Sequence, residues 1–235
     1  MRALGSLAGT AMDSEKLCNT LREMLSAGVC VAAGPPVAMA LTPRECESLG
    51  PADAKRVREF ESGRAYAKRA LATLGMHNVD LPIGPNHAPV WPTGVVGSIT
   101  HVLDSHNGTY AAAAVARVDA ILAVGIDFEM EDSLHPHVWR YALTERELER
   151  ILAFPAGTRR KEAQYIWCAK EATAKIVGLP FDPSGLEVER DPGSGDFVAK
   201  FVDNNRGYLR SSLYGRTARL DGLLIATAVL PRELN

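Results

Sequence analysis

The stretch Val124-Gly-Ile-Asp-Phe-Glu129 constrains the fold more than any other part of the chain. Side chains alternate across a strand with a period of about 2. Val124, Ile126 and Phe128 therefore share one face, and Asp127 and Glu129 sit side by side on the other. Such a strand must press its apolar face onto a core while carrying paired carboxylates behind it. Neighbouring carboxylates repel unless a cation lies between them. Hard oxygen ligands of this kind suit magnesium, which keeps several waters and shares a substrate phosphate. A solvated strand face is the plainer alternative, and Glu131 and Asp132 follow at once as competing acids.

A third carboxylate lies on a helix expected over about 160–177, ended by Gly178 and Pro180. At helical spacing, Ile166, Ala169, Thr173 and Ile176 form a core stripe. Trp167, Glu171 and Lys175 fall on the opposite side at four-residue steps, aligning an aromatic ring, a carboxylate and an ammonium. An exposed i,i+4 pair, worth only about 0.2–0.5 kcal/mol, explains Glu171 and Lys175 but explains Trp167 poorly.

Other elements follow from pattern. Residues 14–27 read as an amphipathic helix on Leu17, Leu21 and Leu25. The apolar run from Gly28 to Leu41 reads as a buried strand with a Gly-Pro-Pro break at 34–36, and a helix covers 52–74 with Gly75 as its stop. Residues 76–94 form a long irregular loop. Strands are expected at 94–101, 110–117 and 120–129. Thr144 and Glu147 make a capping box. Beyond Leu186 strands alternate with turns, with Asp221-Gly222 as a hairpin signal. No short repeat stands out.

In the 55–74 helix the apolar stripe is Val57, Phe60, Ala67, Leu71 and Leu74. Arg56 and Arg64 project on or beside it, so each needs an anionic partner or must snorkel. Phosphate suits the guanidinium fork. Gly63 is a poor helix residue that permits a close approach, read here as that of a ligand. In Trp91-Pro-Thr-Gly-Val-Val-Gly-Ser-Ile-Thr-His101, small residues would let a phosphate reach the backbone, and Ser98, Thr100 and His101 are candidate donors.

Composition narrows the classes. The chain has 235 residues, 46% hydrophobic and 23% charged, with a formal net charge of −2. That balance suits a soluble globular protein and gives no sign of a nucleic-acid partner. Cys18, Cys30, Cys46 and Cys168 include no CxxC pair, which argues against a zinc knuckle and for a reducing cytoplasm. The first residues read as a loose terminus, and no apolar run is long enough to span a membrane.

Taken in order and spacing, Gly97-Ser-Ile-Thr-His101, Val124-Gly-Ile-Asp-Phe-Glu129 and Trp167-Cys-Ala-Lys-Glu-Ala-Thr-Ala-Lys175 resemble the 4′-phosphopantetheinyl transferase superfamily. Phe60-Glu-Ser-Gly-Arg-Ala-Tyr-Ala-Lys68 and Val90-Trp-Pro-Thr-Gly94 resemble its branch typified by the surfactin- and enterobactin-synthase activators. The resemblance covers about residues 40–180. It implies an α+β fold of two similar halves, 1–118 and 119–235, forming a pseudo-dimer with the active site in the cleft between them. It implies Asp127, Glu129 and Glu171 as ligands of magnesium, with manganese as a substitute. It implies Lys175 as the lysine neutralising the pyrophosphate of coenzyme A, with Lys170 assisting. Arg56 and Arg64 resemble the 3′-phosphate arginines, and Ser98, Thr100 and His101 further phosphate contacts. Where many relatives carry a basic residue, this chain has Ile83.

The implied reaction transfers 4′-phosphopantetheine from coenzyme A to a serine of an acyl or peptidyl carrier protein, a small acidic helical domain. Adenosine 3′,5′-bisphosphate leaves. Glu171 is the candidate base and Glu129 the second choice. The enzyme would act as a cytoplasmic monomer. His135, His137, Trp139 and Tyr141 are candidates for the carrier-facing rim, with ordinary surface packing as the alternative. A magnesium-dependent hydrolase of coenzyme A or a related nucleotide would use the same carboxylates.

Overall fold

The structure, a computed structural model, describes residues 13–104, 108–178, 182–202 and 212–232. The expected loose terminus at 1–12 and the helix stop at Pro180 lie outside the described residues. The fold is α+β. Helix α1 (Ser14–Met24) leads into strand β1 (Val29–Gly34). Helices α2 (Pro43–Leu49) and α3 (Ala54–Thr73) precede strands β2 (Val95–Asp104) and β3 (Gly108–Arg117). Then come β4 (Ile121–Met130), the short helix α4 (Trp139–Ala142), α5 (Glu145–Ala153) and the long α6 (Ala156–Val177). Strands β5 (Leu186–Arg190), β6 (Asp196–Phe201), β7 (Ser212–Leu220) and β8 (Leu223–Pro231) complete the order.

The strands form two antiparallel sheets, β1-β3-β2 and β4-β8-β7-β6-β5. Helix α3 crosses the first sheet and α6 crosses the second. The Asp221-Gly222 signal is realised as a two-residue hairpin loop. Leu220 pairs with Leu223, and both turn residues have positive φ, 48° and 84°. Helix α6 ends as expected at Gly178, which takes the left-handed conformation. The expected apolar face of β4 is buried: Val124, Ile126 and Phe128 join Leu17, Leu21, Tyr110 and Ile225 in one cluster. Because this cluster draws on α1 and both sheets, the two halves share a core.

Helix α2 was not expected, and it reveals a repeat. Leu41-Thr-Pro-Arg-Glu-Cys-Glu47 and Leu143-Thr-Glu-Arg-Glu-Leu-Glu149 each form a capping box. In each, the glutamate is fully buried and reaches a lysine of the following long helix. Lys68 Nζ lies 2.8 Å from Glu45, and Lys170 Nζ 2.6 Å from Glu147. Each glutamate also accepts a backbone N–H from beyond its own helix, Glu45 from Leu81 at 2.9 Å and Glu147 from Val188 at 2.7 Å. The lysines sit in matching segments, Ala67-Lys-Arg-Ala-Leu-Ala72 and Ala169-Lys-Glu-Ala-Thr-Ala174. The matches are short and separated by unlike sequence, so the repeat does not stand out along the chain.

Two glycines set the approach of helix to sheet. A Cβ on Gly125 would lie 1.9 Å from the Ala172 carbonyl oxygen, so α6 rests directly on the β4 backbone. A Cβ on Gly63 would lie 2.8 Å from Ile99 Cγ2. Gly63 therefore admits β2 rather than a ligand, correcting the sequence expectation. Gly125→Ala should lower unfolding stability by about 3 kcal/mol in urea titrations, because the obstructing atom is backbone. Gly157→Ala, at an α6 position with nothing within 4 Å, should cause no loss.

Candidate active site

Strands β2 and β4 are the facing edges of the two sheets. Their seam is closed by side chains. Ile126 N–H donates to Ser98 Oγ at 3.1 Å, and Phe128 N–H donates to Thr100 Oγ1 at 3.2 Å. The Thr100 hydroxyl donates in turn to Asp127 Oδ1 at 3.2 Å. Lys175 Nζ, from α6, donates to the same Oδ1 at 2.7 Å and to the Ile126 carbonyl at 2.9 Å. Asp127 thus stands at the join of both sheets and α6. Its other oxygen, Oδ2, is buried without a hydrogen-bond partner.

The neighbouring acids carry the strain of this crowding. Burial, with the Asp127 charge next, pushes Glu129 up to about 7. Burial and Asp127 also raise Glu171, against the opposing pull of Lys175. Glu129 accepts hydrogen bonds from Ser133 Oγ and from Trp167 Nε1, both at 3.0 Å. Trp167 is therefore half-buried against Glu129, not exposed on a polar helix face. Lys175 pairs across elements with Asp127 instead of along the helix with Glu171. The competing acids are committed elsewhere, Glu131 to Arg219 and Asp132 to Arg160.

Among the described residues, no group of three or more His, Cys, Asp or Glu side chains could hold a metal ion as placed. The expected ligand triad is thus not preassembled. Its members are electrostatically coupled, but Lys175 serves as the counter-charge of Asp127, while Ser133 and Trp167 hold Glu129. The donor chemistry still suits a divalent cation. Asp127 Oδ2 has no partner, and the charged forms of Glu129 and Glu171 are disfavoured.

Glu171 and Lys175 line a cleft of about 620 Å³ between the halves, with Ser98, Gly97, Trp91, Asn86 and Val124. Asn86, in the 76–94 loop, bridges it by donating to the Gly178 carbonyl at 2.7 Å. A larger groove, about 780 Å³, lies beside Tyr214 and Arg216 and includes none of Asp127, Glu129 or Glu171.

Family comparison decides what this cleft belongs to. Residues 45–116 match the 4′-phosphopantetheinyl transferase N-terminal domain, and residues 123–228 match the 4′-phosphopantetheinyl transferase superfamily. The chain is 32% identical to the 4′-phosphopantetheinyl transferase Svp of Streptomyces mobaraensis, over 79% of this chain and 76% of that protein. It is also 32% identical to PptT of Mycobacterium tuberculosis, over 80% of this chain and 85% of that protein. The chain belongs to the 4′-phosphopantetheinyl transferase superfamily. Among solved structures it is similar to the holo-[acyl-carrier-protein] synthase of Thermotoga maritima. That match has 20% identity and a TM-score of 0.40, over 48% of this chain and 65% of that one.

In this transferase some expected site residues have other occupations. Lys170 is fully buried; besides Glu147 it donates to the Ala142 and Pro183 carbonyls at 3.1 and 2.7 Å. It braces α6 and, fully buried among these partners, does not line the cleft. Thr100 spends its hydroxyl proton on Asp127. Arg64 is buried, donates from Nε to the Leu81 carbonyl at 2.6 Å and lies 4.1 Å from the Phe60 ring centre; burial lowers it to about 10. Arg56 is more open, with Glu59 at 3.8 Å. His101 Nε2 lies 3.2 Å from Glu59. Of the expected rim, Trp139 is buried and donates to the Leu134 carbonyl, while His135 stacks on His137 and Tyr141 stands 67% exposed.

Sequence reasoning passed over Glu59, although it occupies the turn of α3 between Arg56 and Gly63. It also passed over Glu45, which looks like an ordinary helix-start acid.

Lys170→Met should destabilise the protein by about 3–5 kcal/mol in urea unfolding, since it strands a buried carboxylate. Adding Glu147→Leu should recover only part of that loss, because the Val188 and Thr144 N–H groups then lose their acceptor. Glu129 supplies a pH test in chelator. Its folded value, about 7, exceeds its ordinary 4.5, so its stabilising share is complete below about 4.5 and lost as pH rises through 7. Glu129→Gln should therefore raise the melting temperature at pH 8 and change it little at pH 4.5. An equal shift at both pH values would contradict this assignment.

Proposed function

We propose that this transferase moves the 4′-phosphopantetheine arm of coenzyme A onto a serine of an acyl or peptidyl carrier protein. The other product is adenosine 3′,5′-bisphosphate. The observation that carries this reading is the placement of Glu171 and Lys175 in the inter-half cleft, beside the buried, half-satisfied Asp127.

In this reading residues 1–118 supply the phosphate side, through Arg56, Arg64, Ser98 and His101. Residues 119–235 supply the acids and Lys175. The Ser98 oxygen already accepts the Ile126 N–H, which leaves its own proton to donate toward a phosphate. Lys175 Nζ carries the charge that the departing diphosphate oxygen needs. Glu171 takes the proton from the carrier serine. Burial and Asp127 raise its affinity for that proton, as a base at neutral pH requires. Glu129 is less suited, because Ser133 and Trp167 pin it. The serine oxygen then bonds to the β-phosphorus as the bond from that phosphorus to the bridging oxygen breaks.

Asp127, Glu129 and Glu171 are the residues that would hold magnesium or manganese. A bound divalent cation supplies positive charge to the diphosphate. The carrier, a small acidic helical domain, would approach the 130–160 segment, where Arg140 and the exposed Tyr141 lie. The protein would work as a monomer in the cytoplasm. Among the described residues no helix is long and apolar enough to cross a membrane.

The hydrolase alternative finds no support among the matched relatives. Mass spectrometry of a carrier incubated with coenzyme A and magnesium separates the two readings. A pantetheine adduct on serine is the expected product, whereas free phosphopantetheine with an unmodified carrier would contradict transfer. Asp127→Ala and Glu171→Ala should each cut adduct formation by about a hundredfold or more. Full activity in either variant would remove that residue from the site.

A further inference from the structure

Glu59 is a half-buried acid among cations. Its carboxylate lies 3.2 Å from His101 Nε2, 3.8 Å from Arg56 and 3.7 Å from Lys55. Lys55 and Arg56 are open to solvent, so their pairs with Glu59 are weak. The His101 contact is shorter, and His101 itself is two-thirds covered. It also has a cause in the packing. Gly63 lets α3 rest on β2 at Ile99, and one helical turn earlier the same face of α3 meets β2 at residue 101. The contact is therefore built by two packed elements and does not depend on a flexible loop.

His101 also faces charge from the other half. Burial lowers its imidazole below the ordinary range; Glu59 opposes that, while Lys175 and Arg56 add to it. The ring thus lies within the field of Lys175, which lines the cleft. A ring set between cations would shed its proton and rotate. An acid on one nitrogen fixes both the tautomer and the ring plane.

We propose that Glu59 is a positioning residue. It holds His101 by Nε2–H, so that Nδ1 is the nitrogen presented to a phosphate of the bound nucleotide, donating its proton when the ring is charged. This rests on the reading of His101 as a phosphate contact given above. Glu59 itself touches no ligand, so its loss should act on substrate binding and not on the chemical step.

The test is steady-state transfer with varied coenzyme A, on the full chain with magnesium and a carrier. Glu59→Ala should raise KM for coenzyme A about tenfold, the loss expected for one charged hydrogen bond, with kcat within about threefold. Glu59→Gln, which still accepts from Nε2–H, should restore most of the affinity. His101→Asn should raise KM on its own, and the Glu59→Ala/His101→Asn double variant should be no worse than His101→Asn. Multiplying effects would show that Glu59 does not act through His101 and overturn the proposal. An unchanged KM in His101→Asn would remove the phosphate-contact reading and the proposal together. A raised KM there with none in Glu59→Ala would overturn the proposal alone. Should Glu59→Ala not fold, long-range ¹H–¹⁵N spectra of the wild-type protein at pH 8 still decide. The Nε2–H tautomer of His101 is expected, and the Nδ1–H tautomer overturns the assignment.

Discussion

Everything in the cleft depends on how the edge of β4 is satisfied. An edge strand presents unpaired N–H groups, and a buried one must find partners for them. Here β2 meets β4 with the hydroxyls of Ser98 and Thr100 in place of its own backbone. That choice keeps the sheets separate, so a cleft remains between them. It also sets Asp127 against Lys175 of α6. A continuous backbone ladder across β2 and β4 would have closed the same space.

The second constraint is charge. Three acids lie near one another with Lys175 as the close cation, and only Asp127 is directly neutralised by it. The cost appears as a carboxyl held near neutrality at Glu129, a raised Glu171 and an oxygen of Asp127 left without a partner. Groups of that kind are rare in folded cores, because each one lowers stability. Under the proposed function, a site receiving both a cation and a diphosphate would have reason to keep them, because opposite charge would make the same residues favourable.

Much of this was legible along the chain, where local rules decide. The alternation in 124–129, the Thr144–Glu147 capping box, the Asp221-Gly222 loop and the αL stop at Gly178 depend on neighbours a few residues away. The motifs single out Asp127, Glu129, Glu171 and Lys175, but not the contacts these residues make. What the sequence hid were partners distant along the chain. Ser98 and Thr100 read along the chain as phosphate donors, and only the fold shows that they also accept N–H groups of β4. Gly63 looks like a ligand approach until Ile99 fills it. Lys170 looks like one more cation in a charged motif, and only its full burial beside Glu147 shows otherwise. Trp139 looked like rim and proved to be core, since an amphipathic ring gives no sign of which side is covered.

The repeated glutamate–lysine brace gives Lys170 its physical reason. The first half contains the same capping box, buried acid and lysine, with Arg69 at the place corresponding to Glu171. There the brace holds α3 against its sheet, and the following residue is a cation lying 5.1 Å from the Tyr66 ring centre. A lysine that does the same work on both helices is explained by holding them, and needs no ligand. The difference between the halves then lies in the next residue: Glu171 lines the cleft with Lys175, whereas Arg69 lies against the Tyr66 ring. One framework therefore supports two helices that differ in the residue following the lysine. A buried ion pair retained twice, despite its desolvation cost, fits a part selected for the angle at which it sets a helix on a sheet.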